Sequence, residues 1–490
     1  MTADTVEDEE ELKLELAPED ADALEGSGLF GREPAAVRQE SVYFDTPDHA
    51  LADAGLSLRI RRSGRRRVQT VKAERSAAGM LVRAEWEREV TADRPVLDDV
   101  PPVTALLNER TALLSPLFTV ENERRIWKQN GVEIALDRGR IVAGERFTPV
   151  CELELERKGG ELAALFDLAR KVDAIVPVRI CVLSKAERGY RLLGPAARAI
   201  KAAPIALQPE MSAVDAFRAI AGACMRHFHG NVPVILDHDD AAALHQARVA
   251  IRRLRSALSI YKAMLTADRM AAKIDRELRW LAGKLGSARE VDVLIAKALG
   301  GPIGGPVLDH LVAARAKAYA AAGITLRSKR CRALMIDLAE WIALRDWSLP
   351  ADEADAPDQS VCDFAAKALG HRRKVLKKRG RGLSDLDDEA RHRARKAAKK
   401  MRYTADFFAS LYARKQQRHR HKRFLNALEG LQDHLGDLND LATAPEVMDR
   451  LGLSDIPEAA ALMEKHGKPQ LLKAAAGALD DFAEVKRYWA

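Results

Sequence analysis

The sequence predicts an α+β domain of antiparallel strands with flanking helices, followed by an all-α domain made of two repeated helical bundles. Three observations carry this. Up to about residue 190 the chain keeps returning to a period of two, the side-chain period of a strand. After about residue 210 it turns helical, with Ala, Leu, Arg and Lys dominating. Within that second half, HQARVAIRRLRSAL (245–258) is answered by HRARKAAKKMRYTA (392–405), with the histidine and the basic residues at matching offsets.

A chain of 490 residues is too long for one ordinary core, so two or three domains are expected. At 47% hydrophobic and 31% charged it has a soluble, globular composition. Lys and Arg exceed Asp and Glu by 79 to 72, so an anion site has to come from clustering and not from bulk charge. Cys151, Cys181, Cys224, Cys331 and Cys362 are far apart and form no CxxC, which argues against a disulfide framework or a zinc site and for a reducing compartment. The N-terminus is acidic without an apolar core, and no run of about 18 apolar residues occurs. A cytoplasmic protein without a membrane span is expected.

In the first half, EEELKLEL (9–16) puts Glu9, Glu11, Lys13 and Glu15 on one face and Leu12, Leu14 and Leu16 on the other. SLRIRR (57–62), VQTVK (68–72), VRAEWEREV (82–90), VEIALD (132–137) and CELELE (151–156) alternate likewise. Helical stretches fall near 102–115 and 160–172. The linker GPAARAIKAAPIALQPEMS (194–212) is bracketed by prolines and ends on Ser212, an N-cap candidate. A second break is the acidic, proline-bearing segment 346–360. These breaks divide the chain into domains 1–200 and 210–490, the latter with repeats at about 212–345 and 358–490.

At least six strands thus carry charge of both signs on one side. One arrangement leaves that side in water above a helix-packed sheet. The other closes the strands into a barrel whose lumen is charged and whose apolar side lies under helices. Unpaired burial of such charges costs roughly several kcal/mol each, so the second arrangement needs a ligand with both kinds of partner. Arg and Lys suit phosphate oxygens, and clustered carboxylates suit a hard divalent cation, Mg²⁺ or Mn²⁺. A metal–polyphosphate chain supplies both, and the absence of GxxxxGK[ST] rules out a P-loop route.

Glu9-x-Glu11-x-Lys13 resembles the ExExK signature of the CYTH, or triphosphate tunnel metalloenzyme, family. YFDTPD (43–48), Arg59 with Arg61, TVK (70–72), RAEWE (83–87), ALDRG (135–139), ELELE (152–156) and SKAERGY (184–190) agree in order over some 190 residues. The resemblance implies an eight-stranded antiparallel tunnel that binds triphosphate with a divalent metal. Strand parity and the resemblance together assign Glu9, Glu11, Glu85, Glu87, Glu152 and Glu154 to metal or water. They assign Lys13, Arg59, Arg61, Lys72, Arg83, Arg124 and Lys185 to phosphates. Glu9, Glu11 and Lys13 are the expected catalytic signature.

In the helical half, offsets of 0, 3, 7 and 10 align His245, Arg248, Arg252 and Arg255 in one stripe, and His392, Arg395, Lys399 and Arg402 in another. LGSAREVDVL (285–294) answers LGDLNDLATA (435–444), and Arg226 and Arg373 each lie 19 residues before their histidine. Arg253, Arg289, Lys377 and Lys396 widen the basic surface. Two facing cationic stripes repel unless an anion lies between them. Tyr403 is the one aromatic in the stripes, too few for base stacking, so nucleic acid is an unlikely partner and an all-backbone anion is favoured. The stripes resemble the CHAD domain, a helical tandem repeat, which implies binding of inorganic polyphosphate through these residues. Lys399 where the first copy has Arg252, and Asn439 where it has Arg289, depart from the first repeat.

The expectation is an inorganic triphosphatase that splits tripolyphosphate to diphosphate and phosphate and carries a polyphosphate-binding module. Such a protein would be associated with polyphosphate granules. The alternatives are a polyphosphate scaffold with an idle tunnel, and a tunnel acting on thiamine triphosphate or nucleoside triphosphates.

Overall fold

The computed structural model describes residues 7–31, 33–74, 82–98, 100–194, 198–300, 305–345, 360–454, 456–462 and 467–489. The chain forms two compact units. The first comprises Met1–Ile200 with Phe228–Ala243 and Leu326–Arg345; the second comprises Lys201–His227, Leu244–Thr325 and Asp346–Ala490.

The first unit is built on β1 (Glu7–Glu15), β2 (Ala35–Asp45), β3 (Leu56–Ser63), β4 (Arg66–Glu74), β5 (Val82–Glu89), β6 (Ser115–Gln129), β7 (Val132–Ala143), β8 (Arg146–Arg157) and β9 (Arg179–Ile180). Their order is β5-β4-β3-β2-β6-β7-β8-β1-β9, and β1 also pairs with β5. That extra pairing closes eight antiparallel strands into a barrel, with β9 an added two-residue edge. Strand β1 makes the closure by dividing its length. Glu7–Glu10 pair with β5 and Glu11–Glu15 pair with β8. Of the two arrangements open to the sequence, the charged strands therefore adopt the closed one.

The alternation of β1 explains its place. Leu12 and Leu14 are buried on the outer side, and the helix Ala163–Ile175 packs on β1 and β8 with Leu165, Phe166, Ala169 and Val172 buried. On another side Leu58, Ile60 and Val71 join Leu51, Val100, Val103 and Leu107 in one apolar cluster, part of it from the helix Pro101–Leu107. These outer contacts stabilise the barrel by burying apolar area. They leave the other face of each strand for the lumen.

One helix closes toward the lumen. Lys185–Leu193 starts with a capping box in which Ser184 accepts from the Glu187 backbone and Glu187 returns to Ser184. Gly189 lets this helix approach β6, because a Cβ there would sit 2.1 Å from Phe118 Cε2.

Among its described residues the second unit has helices and no named strand, as the repeat predicts. The His245 helix, Ala241–Ile260, and the His392 helix, Asp388–Phe407, are each 20 residues long. Ser212 accepts from the Asp215 backbone at 3.1 Å, the cap its sequence suggests. The downstream motifs differ in form: Leu285 separates the helices Arg269–Lys284 and Gly286–Leu299, whereas Leu435 lies inside one helix, Lys415–Arg450. No helix among the described residues is long and apolar enough to cross a membrane.

Candidate active site and basic cavity

The barrel encloses a cavity of 330 Å³. Ten of the expected tunnel residues line it: Glu11, Lys13, Arg59, Arg61, Lys72, Glu85, Glu87, Arg124, Glu154 and Lys185. The backbones of Glu9 and Arg83 pair across β1 and β5, and their side chains lie outside the described residues. Glu152 does not line the cavity. It is buried beneath it, because Lys185 covers it.

Register places the carboxylates in rows. Glu11, Glu156 and Glu133 are neighbours across β1, β8 and β7. Glu15, Glu152 and Asp137 form a parallel row, and Lys13 faces Glu154 between the two. Like charges directly opposite one another destabilise a sheet unless a cation separates them. Cations do so here. Lys13 Nζ lies 3.2 Å from both Glu11 and Glu154. Lys185 Nζ donates to Asp137 at 2.7 Å, to Glu154 at 3.0 Å and to Glu152. Arg124 forks onto Asp137 at 2.8 and 2.6 Å and reaches Glu154 at 2.5 Å. Burial alone would raise Glu154, but Lys13, Lys185 and Arg124 outweigh it and hold the carboxyl well below its ordinary range. Asp137 is held low in the same way, by Lys185 and Arg124 against its burial.

On the opposite wall Lys72 meets Glu85 at 3.0 Å, and Thr70 donates to Glu87 at 2.8 Å. Arg59 lies 4.0 Å from Glu85 and donates to the Tyr43 hydroxyl at 3.4 Å. Burial would raise the Tyr43 phenol, but Arg59, Lys185 and Arg61 bring it below its ordinary value. Arg61 is different. It makes no hydrogen bond or ion pair with any described residue. Burial, then Arg59 and Arg124, press its guanidinium down to about 10. Tyr43 and Glu154 offset this only in part, and neither touches it.

The donor set fits a hard divalent cation. Asp137, Glu152 and Glu154 each offer a carboxylate oxygen, all within 4.8 Å of one another, and Glu11, Glu85, Glu87, Glu133 and Glu156 add oxygens around the lumen.

In the helical unit a second cavity of 1010 Å³ brings the two histidine helices to one space. Arg252 and Arg255 line it from one helix, and His392, Arg395, Lys396 and Lys399 from the other. The Nε atoms of Arg252 and Arg395 are buried without hydrogen-bond partners among the described residues. Lys399 is pushed down to about 7, by burial first and then by Arg395 and Arg252. Asp275 offsets the cavity's charge at one edge, taking Arg255 at 2.8 Å.

Other expected members stand elsewhere. Arg253 is buried with its guanidinium 5.2 Å from the centre of the Phe407 ring. Arg373 donates to the carbonyls of Ala483 and Val485 at the end of the helix Lys468–Glu484. Arg248 donates to the Ala282 carbonyl at 2.7 Å, and Arg402 lies 3.6 Å from Glu429. Arg226, His245, Arg289 and Lys377 do not line the cavity either. The downstream motifs nonetheless return to their histidines in both copies. His392 Nδ1 bonds Asn439 at 2.6 Å, and Arg289 is the foremost charge acting on His245, whose pKa falls to about 4 chiefly through burial.

Residues 7–190 match the CYTH domain, and residues 219–449 match the CHAD domain. The chain joins a CYTH domain to a CHAD domain. Over 164 residues it is 30% identical to an inorganic triphosphatase of Haemophilus influenzae, a match covering 31% of this chain and 45% of that relative's length. It is 28% identical over 405 residues to an uncharacterized protein of Mycobacterium tuberculosis, covering 75% of each. A crystal structure of the CHAD domain from the plant Ricinus communis shares 30% identity with a TM-score of 0.49, over 58% of this chain and 96% of that one.

Several lining residues of the CYTH domain escaped the sequence assignment. Asp137 shares its strand face with Glu133, and this parity was the available signal. Tyr43 and Asn122 project inward from β2 and β6. Asn122 donates to Asp137 at 2.8 Å. Arg124 and its neighbour Arg125 part company: Arg125 pairs with Glu25 and Glu123, outside the lumen. Glu15, on the lumen face by parity, instead takes Arg179 of β9 at 3.0 Å.

Proposed function

We propose that the CYTH domain hydrolyses tripolyphosphate to diphosphate and phosphate with Mg²⁺ or Mn²⁺, and that the CHAD domain binds inorganic polyphosphate. The observation that carries the first part is Arg61, a guanidinium with no hydrogen bond or ion pair among the described residues, pressed by Arg59 and Arg124 in a closed, doubly charged lumen. A bound phosphate chain would supply the missing partner without a change of fold and meet the neighbouring cations as well.

In this reading Lys13, Arg59, Arg61, Lys72, Arg83 and Arg124 hold the phosphates by charge-assisted hydrogen bonds. Glu9, Glu11, Glu85, Glu87, Glu152 and Glu154, with Asp137, would hold the metal, which when bound neutralises phosphate charge and acidifies water. Lys185 already occupies the Asp137–Glu152–Glu154 group, so it fixes those carboxylates in place and is not free for phosphate alone. Water attacks the terminal phosphorus, the bridging P–O bond breaks, diphosphate departs, and the proton passes to a carboxylate kept ionised by its cations.

The facing basic stripes support the second part. Arg252, Arg395 and Lys399 mutually repel, which a phosphate backbone relieves, and Tyr403 is the one aromatic lining the cavity. Incubating the full chain with tripolyphosphate, ATP, thiamine triphosphate and long-chain polyphosphate, with Mg²⁺ or Mn²⁺, tests the proposal. Phosphate release should be fastest from tripolyphosphate. Release from none of them would favour a polyphosphate-binding scaffold.

A further inference from the structure

The barrel unit holds another polar cavity, of 270 Å³, behind the tunnel floor. Its wall includes Glu15, Arg146, Arg188 and Arg191, together with His229 and Pro233 from the segment 228–243. The partition between this cavity and the tunnel is Glu152. Its Oε1 accepts from Lys185, which lines the tunnel, and its Oε2 lies 3.4 Å from Arg188 Nη1 behind it.

We propose that this rear cavity is a second oxyanion site, taking an anion of the orthophosphate class through Arg188 and Arg191, and that its occupancy draws Arg188 away from Glu152. Arg188 and Arg191 sit three apart on the helix Lys185–Leu193, where like charges repel. Arg191 makes no hydrogen bond or ion pair with any described residue; Glu187, one turn earlier, acts on it only at a distance and is engaged in the capping box with Ser184. His229 is buried, and its Nε2 has no hydrogen-bond partner among the described residues. The acids of the cavity do not fill the gap: Glu15 is taken by Arg179 at 3.0 Å, and Asp237 is exposed at the rim. Two guanidiniums on one face, one of them without a hydrogen bond or ion pair among the described residues, match a tetrahedral oxyanion.

The consequence reaches the tunnel. Glu152 is held by two cations, one from each side. An anion that takes Arg188 leaves Glu152 to Lys185 alone and so changes the field of the Asp137–Glu152–Glu154 group. Orthophosphate is one of the two products of the hydrolysis proposed above, and the link to turnover rests on that reading, whereas the binding site does not. The expected behaviour is inhibition by phosphate that excess tripolyphosphate fails to relieve.

Calorimetric titration of the full chain with inorganic phosphate tests the site. The background variant carries Arg61→Gln, Arg252→Gln and Lys399→Gln, which weakens the tunnel and the basic cavity. That variant should keep one binding event, and adding Arg191→Gln should weaken it by about tenfold or more, the loss expected for one charge-assisted contact. Arg191→Lys should restore part of it, and unchanged circular dichroism and melting confirm that the variants fold. Phosphate binding that is absent from the background variant, or indifferent to Arg191→Gln, overturns the proposal. In turnover assays phosphate should lower kcat at saturating tripolyphosphate in the wild-type chain and less so in Arg191→Gln; equal inhibition in both overturns the link through Arg188. A chain that hydrolyses nothing refutes the triphosphatase reading alone, since the calorimetry still reads this site.

Discussion

Lys185 and Asp137 form a buried ion pair at 2.7 Å, 48 residues apart, between the helix that closes toward the lumen and strand β7. The same ammonium serves Glu152 and Glu154. One cation thus fixes the carboxylates of two strands and the position of the helix. Removing a partner of a buried pair costs far more than the pair contributes over an apolar replacement. Lys185→Ala should therefore destabilise the barrel unit by about 3–5 kcal/mol. Urea unfolding followed by a probe in that unit measures it, and a loss under about 1 kcal/mol would mean water solvates these carboxylates.

Acid should act on the same cluster. Asp137 and Glu154 are held below their ordinary values of 3.8 and 4.5. A depressed folded pKa contributes stability that is present above the unfolded value and is lost as pH falls through the folded one. The melting temperature should hold steady down to about pH 4.5 and drop below it. Asp137→Asn should flatten that drop. A melting temperature that rises on acidification would contradict the assignment.

Arg61 predicts the opposite profile from Lys185. It makes no hydrogen bond or ion pair among the described residues, so Arg61→Gln should leave stability unchanged or slightly raised. Its effect should appear on substrate, with kcat/KM lower by about ten- to a hundredfold, the loss of a contact worth roughly 1.5–3 kcal/mol. Parallel urea unfolding and steady-state kinetics separate the two effects.

Much of this was legible in the chain. Period two in EEELKLEL places Lys13 and Leu12 on opposite sides of the wall, and the same parity in CELELE puts Glu154 in the lumen and Leu153 outside. Parity cannot say how far a side chain stands from the cavity. Glu152 is in register with the lumen and is yet covered by Lys185, because a helix from elsewhere in the chain lies over it. In the helical unit the stripe offsets correctly brought Arg252 toward Arg395. Arg253 follows Arg252 by one residue, about 100° around the helix, which turns it to the Phe407 side. Arg373 was displaced by a long-range need, the open carbonyls at the end of the helix Lys468–Glu484, which no local pattern announces.

That division gives a prediction for the CHAD domain. Arg252→Gln should weaken polyphosphate binding and reduce its salt dependence, since it removes a charge from the cavity. Arg253→Met should leave affinity nearly unchanged and alter stability instead. Fluorescence anisotropy with labelled polyphosphate at several salt concentrations distinguishes them, and equal losses would place Arg253 back at the ligand.

Lys399 adds a pH dependence. Its pKa of about 7 lies below the ordinary 10.5 because burial and Arg395, Arg252 and Arg248 disfavour its charge. A bound polyanion favours the charged form, so binding takes up a proton and affinity falls as pH rises above 7. Calorimetry at pH 7.5 in two buffers of different ionisation enthalpy should show proton uptake in the wild-type chain and less in Lys399→Arg. Equal heats in the two buffers would contradict the coupling.

The most direct test of the account is phosphorus NMR of tripolyphosphate incubated with the full chain and Mg²⁺ or Mn²⁺. Diphosphate and phosphate should appear in equal amounts, and turnover should be at least about tenfold slower for a folded Arg61→Gln variant. Intact tripolyphosphate, or equal turnover by that variant, would contradict it.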